Sequence, residues 1–374
     1  MAWIDHVREI RADPDADAPR LVCADWLLDR DDPRGEYIVL ACRLARMTPG
    51  TPEHDSLEAR RRQLETEHAA GWLAPIVELG AQGFRRDLPP RFARGFVETI
   101  TLVGRASASF AEICAREPIT DVTFVSCGVR TYELIAALPE LAQIRELVLR
   151  GTHVLGCEAL VASPHLGGVR RLTLPNRDPS MLAALAAGSA RPERFTVGND
   201  VPSLRRLVDA GFFARIHELG LDGLTDDGAA VIAEAALPLL RTLELGHPQL
   251  TAAGMTALGP HLARLEQLAY NGIAPAPGAV PVLTEVLAGG NLRALSFANF
   301  TCDALADLLV SPALANVESL HLVYDVFTPR IAEALRASPH RTKLRFLLIR
   351  VGDGRTPTGY TLDGTTVDDH DEPT

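Results

Sequence analysis

Across most of the chain the pattern apolar-x-x-apolar-x-apolar returns at a nearly fixed interval. It reads ITDVTF at 119–124, IRELVL at 144–149, VRRLTL at 169–174, LRTLEL at 240–245, LEQLAY at 265–270, LRALSF at 292–297, VESLHL at 317–322 and LRFLLI at 344–349. Weaker copies stand at 96–102, 193–197 and 216–221. The fourth positions are Ile100, Val122, Leu147, Leu172, Phe195, Leu219, Leu243, Leu268, Leu295, Leu320 and Leu347, spaced by 22, 25, 25, 23, 24, 24, 25, 27, 25 and 27 residues. Such a period marks small supersecondary units, none of which can bury its apolar face alone, so neighbours must stack.

A second mark keeps the same phase. Pro139, Pro164, Pro260, Pro312 and Pro339 each precede a fourth-position leucine by eight residues. Proline cannot continue a helix, so each is expected to end one and release the chain toward the next strand. Helix-like runs lie between strand and proline, such as YELIAAL (132–138), GAAVIAEAAL (228–237) and DALADLLVS (303–311). Thr225, Thr251, Thr301 and Thr328 are placed to cap them. The unit is therefore strand, turn, helix, turn. The chain reads as an α/β solenoid of about eleven such units, with parallel strands on the concave face and helices outside.

These repeats resemble leucine-rich repeats over about residues 95–350, particularly the ribonuclease-inhibitor-like class with a helix in every unit. The family's turn position, an Asn or Cys, is matched only by Cys127 in the unit from Ile119 to Val129. Thr152, Pro248 and Phe300 stand there in other units. Irregular loops after the strands are the expected consequence.

Residues 1–80 lack the period and read as a small all-α domain. Pro19 and Pro33 mark two helix starts, with Asp32 capping the second, and a third helix runs through 56–79. Leu21, Val22 and Trp26 would make the apolar stripe of the first helix; Tyr37, Ile38, Leu40 and Leu44 would make that of the second. Arg20, Asp25, Arg34 and Glu36 are dense enough to suggest a catalytic carboxylate–arginine group. The proline-marked helices favour a structural role instead, with the charges flanking the seam between the two helices. DPDADA at 13–18 lacks the glycine and glutamate of a calcium loop and reads as a helix start.

The stretch with Asp15, Pro19, Arg20, Leu21, Ala24, Asp25, Trp26, Leu27, Asp32, Pro33, Arg34, Glu36 and Ile38 resembles the bacterial repeat-companion domain, which sits ahead of repeats. GWLAP (71–75) and FARGFVETI (92–100) look like the linking segment of such proteins. The resemblance implies architecture and no activity. Residues 81–95 then form a linker and N-terminal cap for the repeats, with a basic cluster of Arg85, Arg86, Arg91 and Arg94. Repeats fill 96–350. The acidic tail 351–374, rich in Gly and Thr, cannot bury enough apolar surface to fold by itself.

Composition narrows the function. A formal net charge of −11 argues against binding nucleic acid, whose affinity comes largely from neutralised phosphates. Six scattered cysteines without a C-x-x-C pair suit buried free thiols in a reducing cytoplasm. No segment is long and apolar enough to span a bilayer. The histidines show no metal-ligand spacing, and there is no phosphate loop, nucleophile elbow or dinucleotide fingerprint. The expectation is therefore no catalytic residues, no metal and no cofactor.

What remains is a surface. Side chains alternate across a strand, so positions between and after the ladder residues face the concave side. In the first strands these are Glu146 and Arg171, followed by Glu218, Asp222, Glu244 and His247. Farther along come Gln267, Asn299, His321, Tyr324 and Arg350. The expected function is a monomeric, non-enzymatic, cytoplasmic protein-interaction module, a regulator or inhibitor that binds a protein partner there. A second reading gives the N-terminal domain an effector activity, carried or recruited, while the repeats select the target, as in a ligase adaptor or a bacterial defence sensor.

Overall fold

In the computed structural model the ladder residues are neighbours in register. Ile100 pairs with Val122, Val122 with Leu147 and Leu147 with Leu172. A second row runs Phe195, Leu219, Leu243, Leu268, Leu295, Leu320, Leu347. Every member of both rows is buried. The structure describes residues 2–80, 90–151, 156–174, 178–272, 276, 278–298, 302–323, 329–350, 358–360 and 366–367. They form two bodies, Met1–Ala190 and Arg191–Thr374.

The first body opens with four helices, α1 (Trp3–Ala12), α2 (Ala18–Leu28), α3 (Pro33–Leu44) and α4 (Pro52–Gly80). A hairpin of β1 (Arg91–Ala93) and β2 (Phe96–Val103) follows, then α5 (Phe110–Arg116), β3 (Asp121–Val125), α6 (Val129–Ala136), β4 (Glu146–Arg150), α7 (Cys157–Val161), β5 (Arg171–Thr173) and α8 (Pro179–Ala187). Strands β2 to β5 are parallel, and β1 is antiparallel to β2. The hairpin turn is Arg94-Gly95 with φ of +45° and +88°, the two positive angles that match the twist of paired strands.

The second body continues the unit: β6 (Arg194–Gly198), α9 (Val201–Asp209), β7 (Glu218–Asp222), α10 (Asp226–Ala233), β8 (Thr242–Gly246), α11 (Ala252–Leu262), β9 (Gln267–Asn271), α12 (Ala279–Ala288), β10 (Ala294–Ala298), α13 (Cys302–Leu309), β11 (Ser319–Val323), α14 (Pro329–Ala337) and β12 (Phe346–Arg350). Strands β6 to β12 are parallel. Two short strands in the tail, β13 (Thr358–Tyr360) and β14 (Thr366–Val367), add antiparallel to β12 and to each other. The rest of 351–374 lies outside the described residues.

The repeat is held by backbone as much as by leucine. The carbonyl before each strand accepts two N–H groups from the next unit: Glu193 takes those of His217 and Glu218, Arg241 those of Glu266 and Gln267, and Glu318 those of Arg345 and Phe346. These bonds need no particular side chain, so the units stack although an Asn or Cys after the strand is mostly missing.

Irregular loops were the expectation, yet among the described residues several begin alike. The first residue past the strand has positive φ in six units: Gly104 (+57°), Ser126 (+51°), Gly151 (+127°), Gly223 (+68°), His247 (+43°) and Gly272 (+141°). The N–H of Ser126, Gly223, His247 and Gly272 donates to the last strand carbonyl of the following unit. The connections differ in length, from two residues between β6 and α9 to seven between β9 and α12.

Two expectations about helix ends are corrected. Pro260 lies inside α11, which continues to Leu262; a proline removes a single intrahelical hydrogen bond, and within the last turn the helix persists. Thr225 occupies the N-cap of α10, but its hydroxyl accepts from Asn199 Nδ2 at 3.0 Å instead of capping. Thr251 caps α11 by accepting from the Ala253 N–H, and Asp32 caps α3 through the Arg34 N–H. Thr301 and Thr328 lie outside the described residues.

Candidate functional site

The N-terminal motif proves to be a clasp. Arg20 is fully buried on α2, with Nη2 2.7 Å from the Glu98 carboxylate of β2 and donating to the Pro14 carbonyl at 2.9 Å. Arg34 on α3 donates through Nη2 to both oxygens of Glu117, at 2.8 and 2.9 Å, and through Nε to the Gly95 carbonyl. Glu117 also accepts from the Val97 N–H at 3.0 Å. Burial pushes the carboxyls of both Glu98 and Glu117 up, and the neighbouring guanidiniums oppose that shift.

These two arginines therefore leave the seam between α2 and α3, where sequence reasoning put them, and reach the sheet. Glu36 holds a different seam, accepting two bonds from Arg60 of α4, at 2.7 and 2.8 Å. Asp25 is exposed on α2 and takes no part. Trp26 is half-buried, with the Arg30 guanidinium 4.2 Å from its ring centroid. The apolar stripe is corrected with them. Val22 is exposed, and the buried face of α2 is Arg20, Cys23, Ala24 and Leu27. A stripe judged on hydrophobicity excludes an arginine, yet one paired with a carboxylate is tolerated in a core.

Further contacts join the same parts. Arg94 donates to the carbonyls of Pro14 and Asp15, at 2.6 and 2.7 Å, and stands 3.4 Å from Asp17. Arg145 pairs with Asp15, whose carboxyl is held below its ordinary range by that hydrogen bond. Trp3 Nε1 donates to the Arg116 carbonyl at 2.8 Å. Asp17 stands at the N-cap of α2 without capping it, because Arg46 and Arg94 engage its carboxylate. Of the basic cluster, Arg94 thus binds the helices to the hairpin and Arg91 is exposed. Arg85 and Arg86 lie outside the described residues.

The predicted face residues fall in both bodies. In the first, Arg171 lies 2.7 Å from Glu146 and 3.5 Å from Asp121, bridging positions that are adjacent in register. In the second, one lateral row on the face away from the core is Arg194, Glu218, Thr242, Gln267, Ala294, Ser319, Phe346. The next is Thr196, Gly220, Glu244, Ala269, Ser296, His321, Leu348. Arg194 pairs with Glu218, Glu244 accepts from Asn271 Nδ2 at 3.0 Å, and His321 Nε2 lies 3.1 Å from the Ser319 hydroxyl.

His247 lies one residue past β8 in the left-handed turn, with Nδ1 3.5 Å from Asp222 at the end of β7, another of the expected face residues. Asn299 and Tyr324 lie outside the described residues, and Arg350 is described only as the last residue of β12.

Sequence reasoning missed Phe346. Its side chain is 68% exposed, the most open large apolar group among the described residues. It shares a row with Gln267 and Ser319, and Leu348 extends the next row beside it. The signal was present: Phe346 immediately precedes a ladder leucine and must face the other way. The small side chains of Gly220, Ala269 and Ser296 leave hollows of about 380 Å³ around Gly220 and about 120 Å³ around Ala269 on this face. The face thus runs from charged positions on β6 to β8 toward apolar ones at β12.

Cys23, Cys42, Cys114, Cys127 and Cys157 are buried free thiols. Burial raises all five, Cys23 to about 12 and Cys42 to about 11, far from the thiolate form that reacts. Among the described residues no group of three histidine, cysteine or acidic side chains is arranged to hold a metal ion, and no helix is long and apolar enough to cross a membrane.

No family model and no curated protein matches the chain. Among solved structures, a Bacteroides fragilis protein from a structural genomics programme is similar at 13% identity and a TM-score of 0.32, over 67% of this chain and 68% of that one.

Proposed function

We propose that this chain is a non-enzymatic protein-interaction scaffold of the leucine-rich-repeat type, with an N-terminal repeat-companion domain, and that it binds a protein partner on the open face of strands β6 to β12. The observation that carries this reading is the pair of lateral rows just described. A rigid parallel sheet holds them in register, and an exposed phenylalanine stands at their apolar end. Binding energy at protein interfaces concentrates in a few aromatic anchors surrounded by polar contacts, and Phe346 with its polar neighbours has that composition. A face built on a preformed sheet also loses little entropy on association.

In this reading the N-terminal helices close the first strand of the repeats. Their buried charges are committed to Glu98 and Glu117, which favours the scaffold over a separately acting effector.

Photo-crosslinking tests the assignment. A benzophenone side chain placed at Phe346 or Gln267 of the full chain should yield a crosslinked adduct in lysate of the source cells. One placed at Val310, exposed in the α13 unit, should not. Equal adducts from all three positions, or adducts from Val310 alone, would reject the face.

A further inference from the structure

We infer that the N-terminal body carries a binding site for a small planar molecule with one anionic group. The site is a pocket of about 570 Å³ walled by Trp3, Trp26 and Trp72. These are the three tryptophans of the whole chain, drawn from three different helices to one cavity. Its volume and apolar lining are those of small-molecule sites, with Leu27 and Ile76 adding to the aromatic walls.

The polar part of the wall sets the charge of the ligand. Arg30, Arg34 and Arg116 line the pocket together with Asp32 and Glu117. Both carboxylates are engaged: Asp32 caps α3, and Glu117 takes the Nη2 of Arg34. Arg34 also gives its Nε to Gly95, but its Nη1 makes no hydrogen bond among the described residues. The indole N–H of Trp26 is buried and has no hydrogen-bond partner among the described residues. Aromatic walls alone would suit a cation; here guanidiniums already stand over two of the rings, Arg30 4.2 Å from the Trp26 centroid and Arg34 4.5 Å from that of Trp3. Arg116 is paired with Glu112, which leaves Arg30 as the guanidinium of the wall with no carboxylate partner among the described residues and favours an anion, for which arginine is the natural donor.

The helix that forms one wall is built to keep the space open. Gly71 lies inside α4, where glycine is unfavourable. No atom stands within 4 Å of the position its Cβ would take, so close packing does not demand it. Pro75, one turn later, has no N–H for the Gly71 carbonyl, and both residues line the pocket. Gly71 stands at the exposed rim of the cavity, where a large side chain would narrow it.

The test uses the full chain and two fluorescent probes. Anilinonaphthalene sulfonate has a planar ring system and one sulfonate; phenylnaphthylamine has the same rings and no charge. The sulfonate should bind once per chain and quench tryptophan emission by energy transfer, since every tryptophan lines the pocket. The uncharged probe should bind at least about tenfold more weakly. Gly71→Phe should abolish sulfonate binding with its melting temperature kept or raised. Joint replacement Arg30→Gln and Arg116→Gln should weaken the sulfonate and leave the neutral probe unchanged, and this variant decides alone if Gly71→Phe folds poorly. Equal binding of the two probes, several probes per chain as in a loosened core, or unaltered binding in both variants would overturn the site.

Discussion

Arg34 and Glu117 are 83 residues apart in sequence, yet one nitrogen of Arg34 donates to both oxygens of Glu117 in a nearly water-free setting. The pair ties α3 to the segment between α5 and β3, and so binds the N-terminal helices to the first repeat. Removing one partner strands a buried charge, at a typical cost of about 3–5 kcal/mol. Arg34→Ala or Glu117→Ala should each lower stability by that order in urea unfolding of the full chain. Joint replacement of both by leucine should recover much of the loss, because the stranded charge is what costs. If either single variant unfolds like the parent, the clasp is not structural.

Gly95 shows how closely the hairpin approaches α3. Its φ is +88°, and an added Cβ would stand 2.3 Å from Ile38 Cγ1 and 2.7 Å from Ile38 Cα. Gly95→Ala therefore meets both an unfavourable backbone angle and a backbone clash. A loss of about 1–3 kcal/mol or more is expected, read as a lower melting temperature. Gly50→Ala also has positive φ but open space around it, and should cost less.

His261 gives the second body an acid-sensitive point. It is buried on α11, with Nε2 3.1 Å from the Ile232 carbonyl and Nδ1 accepting from Arg264 at 3.0 Å. Burial lowers its pKa below the ordinary 6.5, and the adjacent Arg264 charge acts in the same direction. The unfolded chain then takes up the proton first, so stability is full above pH 6.5 and declines as pH falls from there toward the folded-state value. The protection factors of the amides in α10 and α11, corrected for the intrinsic exchange rate at each pH, should fall over that interval, and His261→Gln should flatten the dependence. An unchanged slope in the variant would place the acid sensitivity elsewhere.

The repeats were legible because their signal is local and recurrent. Every ladder position named from spacing, from Ile100 to Leu347, lies in a strand and in register within its body. The misreadings share a cause in non-local partners. Arg20 is buried because Glu98 neutralises it from a distant strand, and no helical periodicity announces that. The tryptophan pocket was hidden for the same reason: positions 3, 26 and 72 show no common pattern until three helices meet. Phe346 is within reach of strand alternation, since it immediately precedes the ladder residue Leu347 and faces the other way.

The most direct test of the partner-binding face is the affinity of the full chain, with and without Phe346→Asp, for the protein captured by crosslinking at that position. Because Phe346 is open to solvent, the substitution should leave the melting temperature unchanged. An aromatic anchor contributes about 2 kcal/mol or more at an interface, so the dissociation constant should rise at least about tenfold. An unaltered dissociation constant in a variant that melts like the parent would contradict the account.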